Sequence, residues 1–132
     1  MTVSLVVVSH SAKLAEGVLE LAGQMTQGKV AIAAAGGTSD GTLGTSVDRI
    51  LAALERVAGP DGTLVLLDLG SAVMATEMAV EQFRQSREHR VTISPAPLVE
   101  GAVIAAVEAS IGNSLEEVAD AALSAASLPK IH

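Results

Sequence analysis

The sequence predicts an α/β fold, an open and mainly parallel sheet of strand order 2-1-3-4 with helices on both faces. Three observations predict it. Short apolar runs alternate with segments of helical spacing from one end of the chain to the other. The runs are almost continuously apolar, as strands covered on both faces of a parallel sheet are. The chain has 132 residues, a length that fits one domain over 1–132.

The elements follow in order. Val3 to Val8 is the first strand. Leu14, Val18, Leu21 and Met25 then recur at helical spacing. Val30 to Ala35 is the second strand, ended by Gly36-Gly37. Val47, Ile50, Leu51, Leu54 and Val57 form the clearest amphipathic helix, with Thr45 as its cap and Asp48 three positions on. Gly59-Pro60-Asp61-Gly62 is a turn. Leu64 to Leu67 is the third strand and leads into Asp68. Gly70-Ser71 opens a helix that runs to about Arg87. Met74 and Met78, one turn apart on it, read as core. Val91 to Ser94 is a short fourth strand closed by Pro95 and Pro97. Leu98 to Ser110 and Leu115 to Ala125 are helical, broken at Gly112-Asn113.

Composition excludes several function classes. Hydrophobic residues make up 49% of the chain, which rules out a disordered linker. There is no cysteine, hence no disulfide, thiolate nucleophile or cysteine-ligated metal; this suits a reducing, cytoplasmic compartment. Phe83 is the lone aromatic residue, and eight basic residues against fifteen acidic give a net charge of -7. Neither feature fits a nucleic-acid binder, which needs stacking surfaces or a basic face. The mean hydropathy of +0.48 comes from many alanines and short apolar runs. Charges or glycines interrupt each run before it reaches the ~18 residues of a membrane span. No basic segment precedes the first apolar run, so no signal peptide is expected. No set of histidines and carboxylates has metal-ligand spacing.

In a sheet of this order, ligands bind outside the carboxyl ends of strands 1 and 3, where the connections change direction. Strand 1 ends in Ser9-His10-Ser11 and strand 3 in Asp68-Leu69-Gly70-Ser71, so the topology sets His10 beside Asp68. A carboxylate that accepts one imidazole N–H leaves the other nitrogen's lone pair exposed and stabilises the positive charge formed when that nitrogen attacks. Helices start at Ser11-Ala12 and at Gly70-Ser71. Their N-termini aim free N–H groups outward and suit phosphate oxygens. The loop Gly36-Gly37-Thr38-Ser39-Asp40-Gly41 follows strand 2 on the same edge. Together these favour phosphoryl transfer through His10, helped by positioning and charge stabilisation. Taken singly, each residue has a plainer reading: Asp68 as a turn residue, Ser71 as a helix cap, Gly36-Gly37 as a turn that needs positive φ. His89, between Glu88 and Arg90, falls in a solvated run and takes no role; His132 is terminal. The glycine loop matches neither a P-loop nor a dinucleotide fingerprint.

Four segments carry a family resemblance: Leu5 to Ser11, Ala35 to Ser46 (AGGTSDGTLGTS), Leu66 to Met74 (LLDLGSAVM) and Pro95 to Ala102 (PAPLVEGA). In this order they resemble the phosphotransferase subunit of the bacterial phosphoenolpyruvate-dependent dihydroxyacetone kinase, a relative of mannose-type EIIA domains, and the likeness runs over essentially the whole chain. The resemblance implies that His10 is transiently phosphorylated by the histidine phosphocarrier protein and that Asp68 orients it. It puts Ser11, Gly37, Thr38, Gly70 and Ser71 where the phosphate-facing segments lie. The phosphoryl group would pass to ADP on the nucleotide-binding kinase subunit, so the nucleotide belongs to that partner and this chain holds no cofactor. The resemblance further implies a homodimer, with the phosphocarrier protein as a separate partner. Neither the 36–46 loop nor the 68–74 segment contains Lys or Arg. A cradle of neutral donors would hold a phosphoryl group loosely enough to pass it on. Three other readings stay open: a sugar-transport EIIA component donating to an EIIB domain, a signalling module read by its phosphorylation state, and a flavodoxin-like ligand binder without transfer chemistry.

Overall fold

The computed structural model describes residues 2–131; Met1 and His132 lie outside them. Four strands, β1 (Ser4–Ser9), β2 (Ile32–Gly36), β3 (Thr63–Leu67) and β4 (Val91–Ser94), pair in parallel in the order β2-β1-β3-β4. Five helices connect and cover them: α1 (Ala12–Gln24), α2 (Val47–Val57), α3 (Val73–Ser86), α4 (Leu98–Ser110) and α5 (Leu115–Ser124). The predicted fold class and strand order are both observed.

β1 lies between β2 and β3 and every one of its six residues is buried. Successive side chains of a strand point to opposite faces, and β1 divides accordingly. Leu5 and Val7 join the layer formed with α1, α4 and α5, while Val6 and Val8 join the layer formed with α2 and α3. A polar residue among Leu5 to Val8 would be stranded in one of two cores, which explains the apolar run there; Ser4 and Ser9 sit at the two ends of the strand, where each finds hydrogen-bond partners. The connection through α1 leads outward from β1 to β2, whereas the connection through α2 passes back over β1 to β3. Loop directions therefore diverge between β1 and β3, and a crevice opens there at the carboxyl edge.

Several local expectations change. β2 starts at Ile32, two residues late, because the chain first reverses through Gln27 (φ 52°) and Gly28 (φ 79°). Ser46, not Thr45, caps α2 and accepts from the Arg49 N–H at 3.2 Å. Gly70–Ala72 forms a separate 3-10 turn ahead of α3. α5 ends at Ser124 and continues as a second 3-10 turn, Ala125–Ser127. The expected core role of Met74 and Met78 is overturned, since they are 73% and 49% exposed. α3 turns Thr76, Ala79, Val80 and Phe83 inward instead. Likewise Leu14, Leu21 and Met25 are exposed, and α1 packs through Ala15, Val18 and Ala22.

His89 is not a solvated residue either. Its Nε2 lies 2.9 Å from the Thr63 hydroxyl, which is 2.7 Å from that of Ser4, and its ring meets Phe83 edge-on at 5.3 Å. Burial, then the charges of Arg87 and Arg90, push its pKa below the ordinary 6.5. An unfolded chain therefore binds the proton more readily than the folded one, and stability rises with pH across that interval. This contribution is present above 6.5 and is lost as pH falls through the lowered native value. His89→Gln is expected to flatten the stability curve on this limb, as measured by urea unfolding between pH 7.5 and 5.

Gly36 ends β2 where α1 begins. A Cβ there would lie 2.5 Å from the Ser11 carbonyl oxygen, 2.7 Å from the Ala12 Cα and 2.9 Å from the Ala15 Cβ. Two of these neighbours are backbone, so the helix start itself has to move. Gly36→Ala is expected to cost about 1–3 kcal/mol of stability, the usual range for overpacking, and urea unfolding measures it directly.

Candidate active site

His10 follows the last residue of β1 and stands at the predicted crevice, 26% exposed, beside the 11% exposed Asp68. The His10 Nδ1 lies 3.0 Å from Asp68 Oδ1. The same carboxylate accepts the His10 main-chain N–H on Oδ2 at 3.0 Å, the Ser9 hydroxyl on Oδ2 at 2.9 Å and the Leu69 N–H on Oδ1 at 2.7 Å. Burial by itself raises the carboxyl pKa. The hydrogen bonds from the His10 N–H, the His10 ring, Ser9 and Leu69 outweigh burial and hold Asp68 below the ordinary carboxylate value. Asp68 is thus an anion at neutral pH, and an anion on Nδ1 selects the tautomer with its proton there. The Nε2 lone pair then faces out of the crevice, where the Ser71 hydroxyl lies 2.9 Å away.

The backbone around His10 is held from both sides. The Gly37 N–H donates to the Ser9 carbonyl at 3.1 Å, and the Gly44 N–H donates to the His10 carbonyl at 2.9 Å. The loop between them is cross-braced. The Thr38 and Thr42 hydroxyls both donate to Asp40, and the Thr38 N–H donates to the Thr42 carbonyl at 2.9 Å. The Thr38 hydrogen bond, then that of Thr42, lowers the Asp40 pKa. Gly37 has a φ of 71°, and a Cβ on it would approach the Thr42 carbonyl oxygen at 3.0 Å. Glycine suits this position on both counts.

All the residues expected to face phosphate lie at this edge, in different states. Ser71 touches the His10 Nε2. Gly70 starts the 3-10 turn that carries Ser71. Ser11 caps α1 by accepting the Leu14 N–H at 3.2 Å, and its own N–H donates to the Ser9 hydroxyl at 3.0 Å. Gly37 uses its N–H on β1, and Thr38 is tied into its own loop. Sequence reasoning gave no role to Ser9, whose hydroxyl meets Asp68. Its only signal was its place directly after the apolar run Leu5 to Val8 and before His10.

The rim of the crevice is apolar and exposed. Leu43, beside the Gly44 that binds the His10 carbonyl, is 80% exposed, and Leu69, beside Asp68, is 58% exposed. Met74 stands one turn after Ser71 on α3. Clefts of about 520 Å³ beside Ser11 and Leu43 and about 420 Å³ beside Asp68 and Gly70 flank this rim. Among the described residues, no three His, Asp or Glu side chains gather as metal ligands. No helix among them is long and apolar enough to cross a membrane.

Residues 4–119 match the family model EIIA-man, the PTS system fructose IIA component. The phosphoryl donor subunit DhaM of a PEP-dependent dihydroxyacetone kinase from Pantoea ananatis is 40% identical over 126 residues, which cover 93% of this chain and 27% of that protein. The chain thus spans about a quarter of the length of such relatives. A shorter relative, the phosphoryl donor subunit DhaM of dihydroxyacetone kinase 2 from Listeria innocua, is 37% identical and is matched over 88% of this chain and 93% of its own length. A solved protein of unknown function superposes with a TM-score of 0.80 at 31% identity, covering 94% of this chain and 95% of that one. With the EIIA-man model matched over most of its length and a DhaM relative matched almost end to end, the chain belongs to the EIIA-man family, alongside its DhaM phosphoryl donor subunits.

Proposed function

We propose that this chain is a phosphohistidine carrier of the phosphoenolpyruvate-dependent phosphotransferase system. It takes a phosphoryl group from the histidine phosphocarrier protein onto His10 and passes it to ADP on the nucleotide-binding subunit of a dihydroxyacetone kinase. The observation that carries this reading is the polarised imidazole: Nδ1 on the Asp68 carboxylate and Nε2 turned outward against a hydroxyl. The relatives, phosphoryl donor subunits of PEP-dependent dihydroxyacetone kinases, suggest the acceptor system.

The chemistry follows from the two nitrogens. The Nε2 lone pair attacks phosphorus as the bond from phosphorus to the donor's nitrogen breaks, and the donor imidazole leaves with that electron pair. The His10 ring becomes cationic, with its proton retained on Nδ1. Asp68 stabilises this charge with a charge-assisted hydrogen bond. Ser71 must release Nε2 as the phosphoryl group arrives, which frees its hydroxyl to donate to a phosphoryl oxygen. The start of α1 and the Gly70–Ala72 turn flank the site and offer N–H groups of the kind that helix ends leave unpaired. In the second transfer, a terminal phosphate oxygen of ADP attacks and His10 leaves as the neutral Nδ1–H imidazole. ADP and ATP belong to the partner subunit in this reading, and no metal or cofactor is assigned to this chain.

The exposed apolar rim of Leu43, Leu69 and Met74 supports protein partners rather than a free small phosphate compound. Exposed apolar side chains on the segments that carry the site suit a docked protein surface, which excludes water from the transferring group. The same reading places the chain in the cytoplasm as a homodimer; sedimentation of the purified chain checks the dimer.

The test is a labelling series with phosphoenolpyruvate, enzyme I and the histidine phosphocarrier protein. The expected result is one acid-labile phosphate per chain, discharged when the ADP-loaded kinase subunit is added. A label that ADP leaves in place but an EIIB domain removes assigns the chain to sugar transport. No label at all returns the site to ligand binding.

A further inference from the structure

Ser9 is fully buried, yet it carries a hydroxyl between two layers of apolar side chains. A buried hydroxyl must find partners or lose its hydration without compensation. Ser9 finds two, and both concern His10. Its O–H donates to Asp68 Oδ2 at 2.9 Å, and its oxygen accepts the Ser11 N–H at 3.0 Å. His10 lies between these residues in sequence and is bound by the same carboxylate through its own N–H and its ring. The Ser9 side chain thus links the carboxylate behind His10 to the backbone that enters α1 in front of it.

We propose that Ser9 is a positioning residue for the phosphoryl transfer described above, on which the proposal rests. It acts through Asp68. With Oδ2 held by the Ser9 hydroxyl and the His10 N–H, the carboxylate cannot swing about its own axis, and Oδ1 stays on Nδ1. The Ser9 O–H also withdraws charge from the carboxylate, so the proton stays on the imidazole. Its second bond ties Ser11, the cap of α1, to the same unit, so the helix start and the His10 ring keep one relative position. The acceptor bond uses a lone pair and the donor bond uses the single hydroxyl proton, so a side chain with a strong O–H is required.

Three variants and two readouts test this. Ser9→Ala removes the hydroxyl, Ser9→Cys keeps similar volume with a weak donor, and Ser9→Thr restores the hydroxyl on a β-branched residue suited to a strand. The first readout is the initial rate of His10 labelling by the phosphocarrier protein, taken on folded chain as judged by urea unfolding. The second is the ¹⁵N spectrum of the His10 ring in the unphosphorylated protein, which reports the Nδ1–H fraction without any transfer. Ser9→Ala and Ser9→Cys are expected to label about 10- to 100-fold more slowly, the size of a lost hydrogen bond to a charged group, with KM for the phosphocarrier protein unchanged. Their Nδ1–H fraction is expected to fall, and Ser9→Thr is expected to recover both. Wild-type ring nitrogens in Ser9→Ala and Ser9→Cys overturn the proposal, whether or not the rate falls. A rate loss accounted for by unfolded chain also overturns it. If wild type takes no label, the carrier reading fails, while the ring spectrum still decides the role of Ser9.

Discussion

His10→Ala is expected to take up no phosphate in the labelling series, a complete loss rather than a slowed rate. The variant removes the proposed nucleophile, and among the described residues no other histidine stands near it. His89 is bonded to Thr63, the first residue of β3, whereas Asp68 follows the last residue of that strand. The strand separates the two histidines, so a label on His89 would need a different donor geometry altogether. The fold should tolerate the change. His10 is partly exposed, and its backbone bonds to Asp68 and Gly44 do not depend on the side chain. Wild-type urea unfolding with no label separates the loss of chemistry from the loss of structure. Labelling of His10→Ala at the wild-type level would refute His10 as the acceptor.

Asp68→Asn carries the second large effect, and it acts on rate and stability together. An asparagine has one oxygen and one NH₂ in place of two oxygens. Both Asp68 oxygens accept a main-chain N–H: Oδ2 from His10 and Oδ1 from Leu69. Either orientation of the amide therefore opposes its NH₂ to a backbone donor. The conflict is expected to cost about 1–3 kcal/mol, the penalty for an unsatisfied buried donor. If the amide oxygen takes the His10 N–H, its NH₂ faces Nδ1 and forces the proton to Nε2, which quenches the nucleophile. If it flips, the ring keeps its tautomer but loses the charge that stabilises the cationic intermediate. A rate loss of roughly 10³–10⁴ is expected, the size seen when a carboxylate that sets a histidine tautomer becomes an amide. Labelling rates and urea unfolding on the same preparation measure both halves.

The wild-type Asp68 also sets an acid limb. Its folded pKa lies below the ordinary value, so its contribution to stability is present above that value and is lost as pH falls through the lowered one. Asp68→Asn removes this dependence. The His89 limb starts at higher pH, at the ordinary 6.5 of the unfolded imidazole.

The sheet was legible because its signal is local. β4, α2 and α4 fall on the predicted residues: Val91–Ser94, Val47–Val57 and Leu98–Ser110. A short apolar run without alternation, bounded by turn residues, fits a strand covered on both sides. Three such runs and the short Val91–Ser94, joined by helices, leave few right-handed arrangements. The meeting of His10 with Asp68 followed from that topology, although 58 residues separate them.

What the sequence determined by itself is therefore the order and type of the elements, the strand order, and which two strand ends meet. Periodicity and chain connectivity suffice for these. Which apolar faces stay uncovered was decided only in three dimensions. Met74, Leu14 and Leu21 repeat with helical spacing as core residues do, but a stripe is buried only if another element reaches it. α1 is buried through Ala15, Val18 and Ala22 instead, and α3 through Thr76, Ala79, Val80 and Phe83. The hydroxyl partners were decided there too. Ser9, Ser11, Ser46 and Ser71 are chemically alike, yet one bridges to Asp68, two cap helices and one faces the His10 Nε2. A serine's role depends on the atoms within about 3 Å of its oxygen. For Ser9 and Ser71 those atoms belong to residues about sixty positions away and are brought close by the register of β1 on β3.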